Sequence, residues 1–183
     1  MKNVTLISII LIGNIICGTT IHIPDDYPTI QLGLNNSIEG DTVLVASGVY
    51  VENITWPSTN GIKLIGSGEA DCIIDGDSLA SVIRFEENLG GIIDTTTLIT
   101  GFTITKGSAT EGGGIYCDGS SPALVYVAII GNMADRGGGI FLTDSDPILN
   151  HVTISGNTAE DYGGGIFCDD GAYPSLVNCI LWN

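Results

Sequence analysis

The chain has 183 residues, 26 of them glycine and only 14% charged, and 21 acids against five bases give a formal net charge of −16 at pH 7. That length fits one domain with a sizeable core. A surface so acidic excludes nucleic acid and anionic lipid as natural partners, and it repels polyanionic sugars such as pectate unless a cation bridges the two.

Residues 1–20 read as a secretory signal peptide. Lys2 supplies the positive start, Val4 to Ile16 is apolar, and the small residues Gly18-Thr19-Thr20 follow. A run of about 13 residues is short of the roughly 20 that a bilayer helix needs, so the mature domain is not expected to span a membrane. Cys17 stands where a bacterial lipoprotein carries its acylated cysteine, but Ile16 is bulkier than that site accepts. Plain export is therefore preferred over a lipid anchor, and the protein is expected to be secreted or on the cell surface.

Residues 21–41 form the predicted N-terminal cap. Thr29 is placed as the N-cap of a helix of about eight residues. Gly33 weakens that helix, so packing over the open first coil must hold it. Gly40-Asp41 then turns into a strand from Thr42 to Ala46, and further short strands are predicted over 48–54, 62–66 and 72–76.

From about residue 98 the chain repeats. Gly112-Gly113-Gly114-Ile115-Tyr116-Cys117 recurs as Gly137-Gly138-Gly139-Ile140-Phe141-Leu142 and as Gly163-Gly164-Gly165-Ile166-Phe167-Cys168. Each triplet leads through an Asp-rich bend and a proline (Pro122, Pro147, Pro174) to an apolar run. Helical repeats need two helices of about ten residues without Gly or Pro, and in these repeats no window of ten is free of Gly, Pro or an Asn/Asp cluster. Apolar residues alternate instead, and the step from Leu149 to Val152 slips the phase, which bends the chain at Asn150-His151. These features predict an all-β fold: a right-handed parallel β-helix with coils of about 25 residues, each about 4.8 Å above the last.

The inward columns follow: Ile115/Ile140/Ile166, Cys117/Leu142/Cys168, Leu124/Leu149/Leu176, Val127/Val152/Cys179 and Ile129/Ile154/Leu181. Asn132 and Asn157 fall at one corner of successive coils, where stacked amides can hydrogen-bond. Cys117 and Cys168 share a column two coils apart, about 9–10 Å, beyond disulfide reach. The cysteines are read as buried apolar thiols.

Tyr27-Pro28-Thr29-Ile30-Gln31, Gly40-Asp41-Thr42-Val43-Leu44-Val45, Gly48-Val49-Tyr50-Val51-Glu52-Asn53-Ile54 and Leu64-Ile65-Gly66-Ser67-Gly68 together resemble the opening of the pectin-lyase-like superfamily. Pectin methylesterases begin similarly, and the triple-glycine coils resemble bacterial surface β-helix proteins, polymorphic outer-membrane proteins among them. The resemblance implies the fold more than an activity, because the superfamily holds lyases, hydrolases, esterases and noncatalytic surface proteins. The paired aspartates, glutamines and arginine of the esterases have no match after Asp77. The His-Gly and Arg-Ile-Lys motifs of polygalacturonases are absent too. Pectate lyases need calcium and an arginine base, and Arg84 and Arg136 are the only arginines here.

Two surface features are candidate sites. Tyr116, Phe141 and Phe167 lie between inward columns, so they face outward as a ladder that either offers a carbohydrate platform or stacks on itself. Asp118, Asp144, Asp146, Asp169 and Asp170 line the bends, where they either hold calcium between coils or are solvated turn residues. His151 aligns with Tyr126 and Asn178 and reads as a corner residue.

The expected function is a noncatalytic scaffold that binds polysaccharide or surface partners. The alternative is a polysaccharide lyase, hydrolase or esterase of the same fold. The chain stops at Trp182-Asn183 as a strand finishes, so further coils or an anchoring domain are expected beyond it.

Overall fold

The computed structural model of the protein describes residues 18–86 and 93–182. The signal-peptide reading, with Lys2, the run to Ile16 and Cys17, falls outside them. About six parallel turns stack into a solenoid with three faces. The first sheet stacks β1 (Thr20–Ile23), β2 (Thr42–Val45), β5 (Lys63–Gly66), β8 (Leu98–Thr105), β11 (Ala123–Ile130), β14 (Ile148–Asn150) and β18 (Ser175–Val177). Past a bend, β3 (Gly48–Val51), β6 (Cys72–Asp75), β15 (Thr153–Ser155) and β19 (Ile180–Trp182) continue it. A second sheet stacks β4 (Ile54–Thr55), β7 (Ile83–Phe85), β10 (Ile115–Asp118), β13 (Ile140–Thr143) and β17 (Ile166–Asp169). The third holds β9 (Ser108–Glu111), β12 (Met133–Arg136) and β16 (Thr158–Tyr162).

Four of the five predicted columns are in register. Ile115 pairs with Ile140 and Ile140 with Ile166, while Cys117, Leu142 and Cys168 form the next rung. Leu124, Leu149 and Leu176 align, as do Ile129, Ile154 and Leu181. Members in the first two coils of the repeat are buried, whereas Cys168, Leu176 and Leu181 are exposed in the last described coil. All four described cysteines are free. Burial pushes the Cys117 thiol far up, as expected of a thiol kept apolar.

Each glycine of a triplet has its own cause. The first (Gly112, Gly137, Gly163) has φ near +65°, where a side chain is strained. The second and third lie against neighbouring coils: a Cβ on Gly138 would sit 2.1 Å from the Thr158 carbonyl oxygen, and one on Gly139 2.4 Å from that of Gly165. The asparagine ladder forms between these turns. Asn132 Oδ1 accepts from Gly107 N at 2.8 Å, Asn132 Nδ2 donates to Ile104 O at 3.1 Å, and Asn157 Oδ1 accepts from Asn132 N and Nδ2 at 3.0 Å.

The cap helix α1 spans Ile30–Asn35, six residues, shorter than predicted. Thr29 Oγ1 accepts from Leu32 N as expected of an N-cap. The sequence did not point to the second anchor. Glu52, from the following coil, accepts from Ile30 N and Gln31 N at 2.9 and 3.0 Å, so a carboxylate meets the helix start. Gly33, read as a weakness, lets the helix approach: a Cβ there would lie 2.8 Å from Ile23 Cδ1.

Candidate functional site

The second sheet turns one file of side chains outward. Arg84 pairs in register with Tyr116, Tyr116 with Phe141 and Phe141 with Phe167, while their neighbours Ile83, Ile115 and Ile140 point into the core. The three rings stack on one another. Tyr116 and Phe141 are nearly parallel at 5.4 Å between centroids, and Phe141 and Phe167 lie 5.7 Å apart.

Of the two readings of these rings, self-stacking describes what is seen, and two of the three are covered. Tyr116 is 8% exposed and Phe141 only 2%. The Arg84 guanidinium lies 4.0 Å over the Tyr116 ring and is held from the other side by Glu86, with Nε donating to Oε1 at 2.7 Å. Arg136, on β12, reaches back over Phe141 and Phe167 at 5.3 and 5.8 Å. It is pinned there by Glu111 and by Asp169 Oδ2 at 3.2 Å, and Tyr162 stacks on Phe167. A ring with no further coil ring to stack on still attracts a cation to its negative face, and that attraction closes the ladder over. Burial first, then the nearby Asp118 carboxylate, pushes the Tyr116 phenol up. Arg84 could have been placed by aligning Ile83-Arg84-Phe85 with Ile115-Tyr116-Cys117, but Ile83 and Ile115 are 32 positions apart, longer than the later strides of 25 and 26, and that hid the repeat.

The five bend aspartates do not converge. Asp118 and Asp169 belong to one file but lie two coils apart with Thr143 between them. Asp169 spends its carboxylate on Arg136 and on Asp170 N. Asp146 accepts from Tyr173 N of the next coil at 2.7 Å, and its own N donates to Ser121 Oγ of the coil before. Asp144 and Asp170 are linked through backbone, Asp144 N to Asp170 O, both with positive φ. Among the described residues no three His, Cys, Asp or Glu side chains gather as a metal group. The stride brings the bends together; the alternation with Thr143, Ser121 and Tyr173 keeps the carboxylates apart.

A separate corner is marked by backbone. Gly101, Tyr126, His151 and Asn178 occupy corresponding positions in successive coils with φ of +77°, +51°, +55° and +53°. The expected alignment of His151 with Tyr126 and Asn178 is therefore a file of left-handed residues. Tyr126 and His151 stack at 4.8 Å.

The model of the right-handed β-helix region matches residues 33–183. The chain belongs to the right-handed β-helix family, and its parallel solenoid agrees with the pectin-lyase-like superfamily. A search of curated proteins found no match to it.

Proposed function

We propose that this chain is a secreted or cell-surface β-helix scaffold, noncatalytic, whose outward files meet carbohydrate or another surface partner. One observation carries the noncatalytic part. Both arginines are committed to holding the solenoid: Arg84 to Glu86 and the Tyr116 ring, Arg136 to Glu111, Asp169 and two rings. A lyase must abstract a proton beside a carboxylate whose charge it also neutralises, which calls for a base and a cation free to meet substrate. The second reading, a polysaccharide-active enzyme, draws on the gathering of both arginines with Glu86, Glu111, Asp118 and Asp169 around one aromatic file. Turnover assays on polygalacturonate and methyl-esterified pectin, with and without calcium, separate the two. We expect no cleavage; cleavage abolished by Arg84→Ala or Arg136→Ala would establish the enzyme instead.

A further inference from the structure

We propose that the left-handed corner at Tyr126 is a stacking site for a ring of a neutral oligosaccharide. The inference rests on the carbohydrate reading above but places the contact on a different face from the Tyr116 ladder. Tyrosine is a poor occupant of φ +51°, whereas Gly101, His151 and Asn178 are residues that tolerate this region. A bulky side chain held there against its preference points to a role outside packing. The ring is not buried to compensate, for Tyr126 is 54% exposed.

The two faces of the ring differ. One is covered by His151 in the next coil at 4.8 Å. The other looks toward the preceding coils, where the corresponding positions are Gly101 and Gly66, which carry no side chain. Farther along the same row Val45 pairs with Gly66 and Ile23 with Val45. A cavity of about 240 Å³ opens there, lined by His22, Leu44, Ala46 and Ser67 among others. Ring and cavity thus lie along one corner of the solenoid, and between them the backbones of Gly66 and Gly101 approach closely, with no side chain standing between the cavity and the ring.

The chemistry selects the occupant. At Tyr126 itself the strand is paired on both sides, to β8 on one and to β14 and β15 on the other, so a peptide finds no open strand edge there to extend. What remains is a ring face beside amides. Asn150 Oδ1 is 2.8 Å from His151 Nδ1 and Asn178 Nδ2 is 3.5 Å from His151 Nε2. An amide has one acceptor oxygen and two N–H donors, more than that single contact uses, and suits the hydroxyls that rim a sugar. The formal net charge of −16 disfavours a uronate ligand and leaves a neutral one unopposed.

The test is calorimetric titration of the full chain with hexasaccharides of β-1,4-glucose, β-1,4-mannose and α-1,4-glucose, and with hexagalacturonate as the charged arm. Tyr126→Gly removes the ring while relieving its backbone, so the fold is expected to survive with Tm unchanged or raised. We expect at least one neutral hexamer to bind, with affinity reduced tenfold or more in Tyr126→Gly and reduced in His151→Ala. Equal binding by wild type and Tyr126→Gly overturns the site and leaves the carbohydrate reading standing. Binding of hexagalacturonate alone, insensitive to Tyr126→Gly, does the same. If no sugar binds either protein, both readings fall. A dimer in sedimentation that Tyr126→Gly abolishes overturns the proposal in favour of a second copy of the chain on the ring.

Discussion

Asp41 is buried at the start of the solenoid and accepts from Thr19 N at 2.6 Å, from Thr19 Oγ1 at 3.0 Å and from Ile38 N at 2.9 Å. Burial pushes its carboxyl up, but the three hydrogen bonds together outweigh that and hold it below the usual range. Asp75 is also lowered, first by the hydrogen bond from Lys106 Nζ, against burial, then by Asp77 N. A folded-state value below the unfolded one, about 3.9 for Asp, contributes stability that is complete above that pH and is lost as pH falls through it toward the folded value. Urea unfolding followed from pH 6 down to pH 2 should therefore show stability falling on the acid side of about pH 4. Asp41→Asn should start less stable and flatten that fall, and an equally steep fall in the variant would remove Asp41 as its source. Neither partner of Asp41 was legible in the sequence. The acid sits in a Gly-Asp turn whose local pattern names no partner, and only the stacking of the first coil brings Thr19 to it.

The triple-glycine turn allows a sharper test at the level of one element. On Gly138 a Cβ meets backbone oxygens of Thr158 and Gly164 at 2.1 and 2.7 Å, and neither can swing aside. On Gly156 it meets nothing within 4 Å, although φ is +60°. Gly156→Ala should thus cost only the left-handed strain, about 1–2 kcal/mol. Gly138→Ala must push two coils apart, and we expect a loss of about 3 kcal/mol or more, or failure to fold. Thermal melts of the two variants measure the difference; equal losses would mean that close approach is not the reason for the second glycine. The repeat itself was legible because each coil repeats its words, and register follows directly from a period of two inside a stride of 25. The fate of the aromatic file was not. Alternation says only that Tyr116 and Phe141 point out of the core, while the covering groups come from strands whose distance across the coil no local pattern encodes. Arg136 is 25 residues from Glu111 and 33 from Asp169, and both contacts depend on stacking.

For the whole molecule, the hydrogen bonds between strands link each coil to the coil above and the coil below. Stability is then close to a sum over coils and the interfaces between them. Inserting a second copy of residues 112–136 after Arg136 should add one full coil, because Gly112 of the copy takes the place of Gly137 and Asn132 meets another Asn132. The longer chain should stay folded, with a melting temperature no lower than that of the parent, and lengthen by about 4.8 Å in small-angle scattering. Inserting only half of that segment would shift glycines onto core positions and should collapse the fold. A full-coil insertion that unfolds the protein would show that coupling extends beyond neighbouring coils.

That arrangement has a mechanical side. A load applied along the stacking axis passes in full through every coil interface, and the interfaces yield one at a time. Each one that yields frees one loop of chain, about 25 residues or roughly 85 Å at full extension, before the next gives way. The Asn132–Asn157 ladder, running along the axis inside the corner, lies in the line of that force and adds side-chain hydrogen bonds to the backbone ones that must break there.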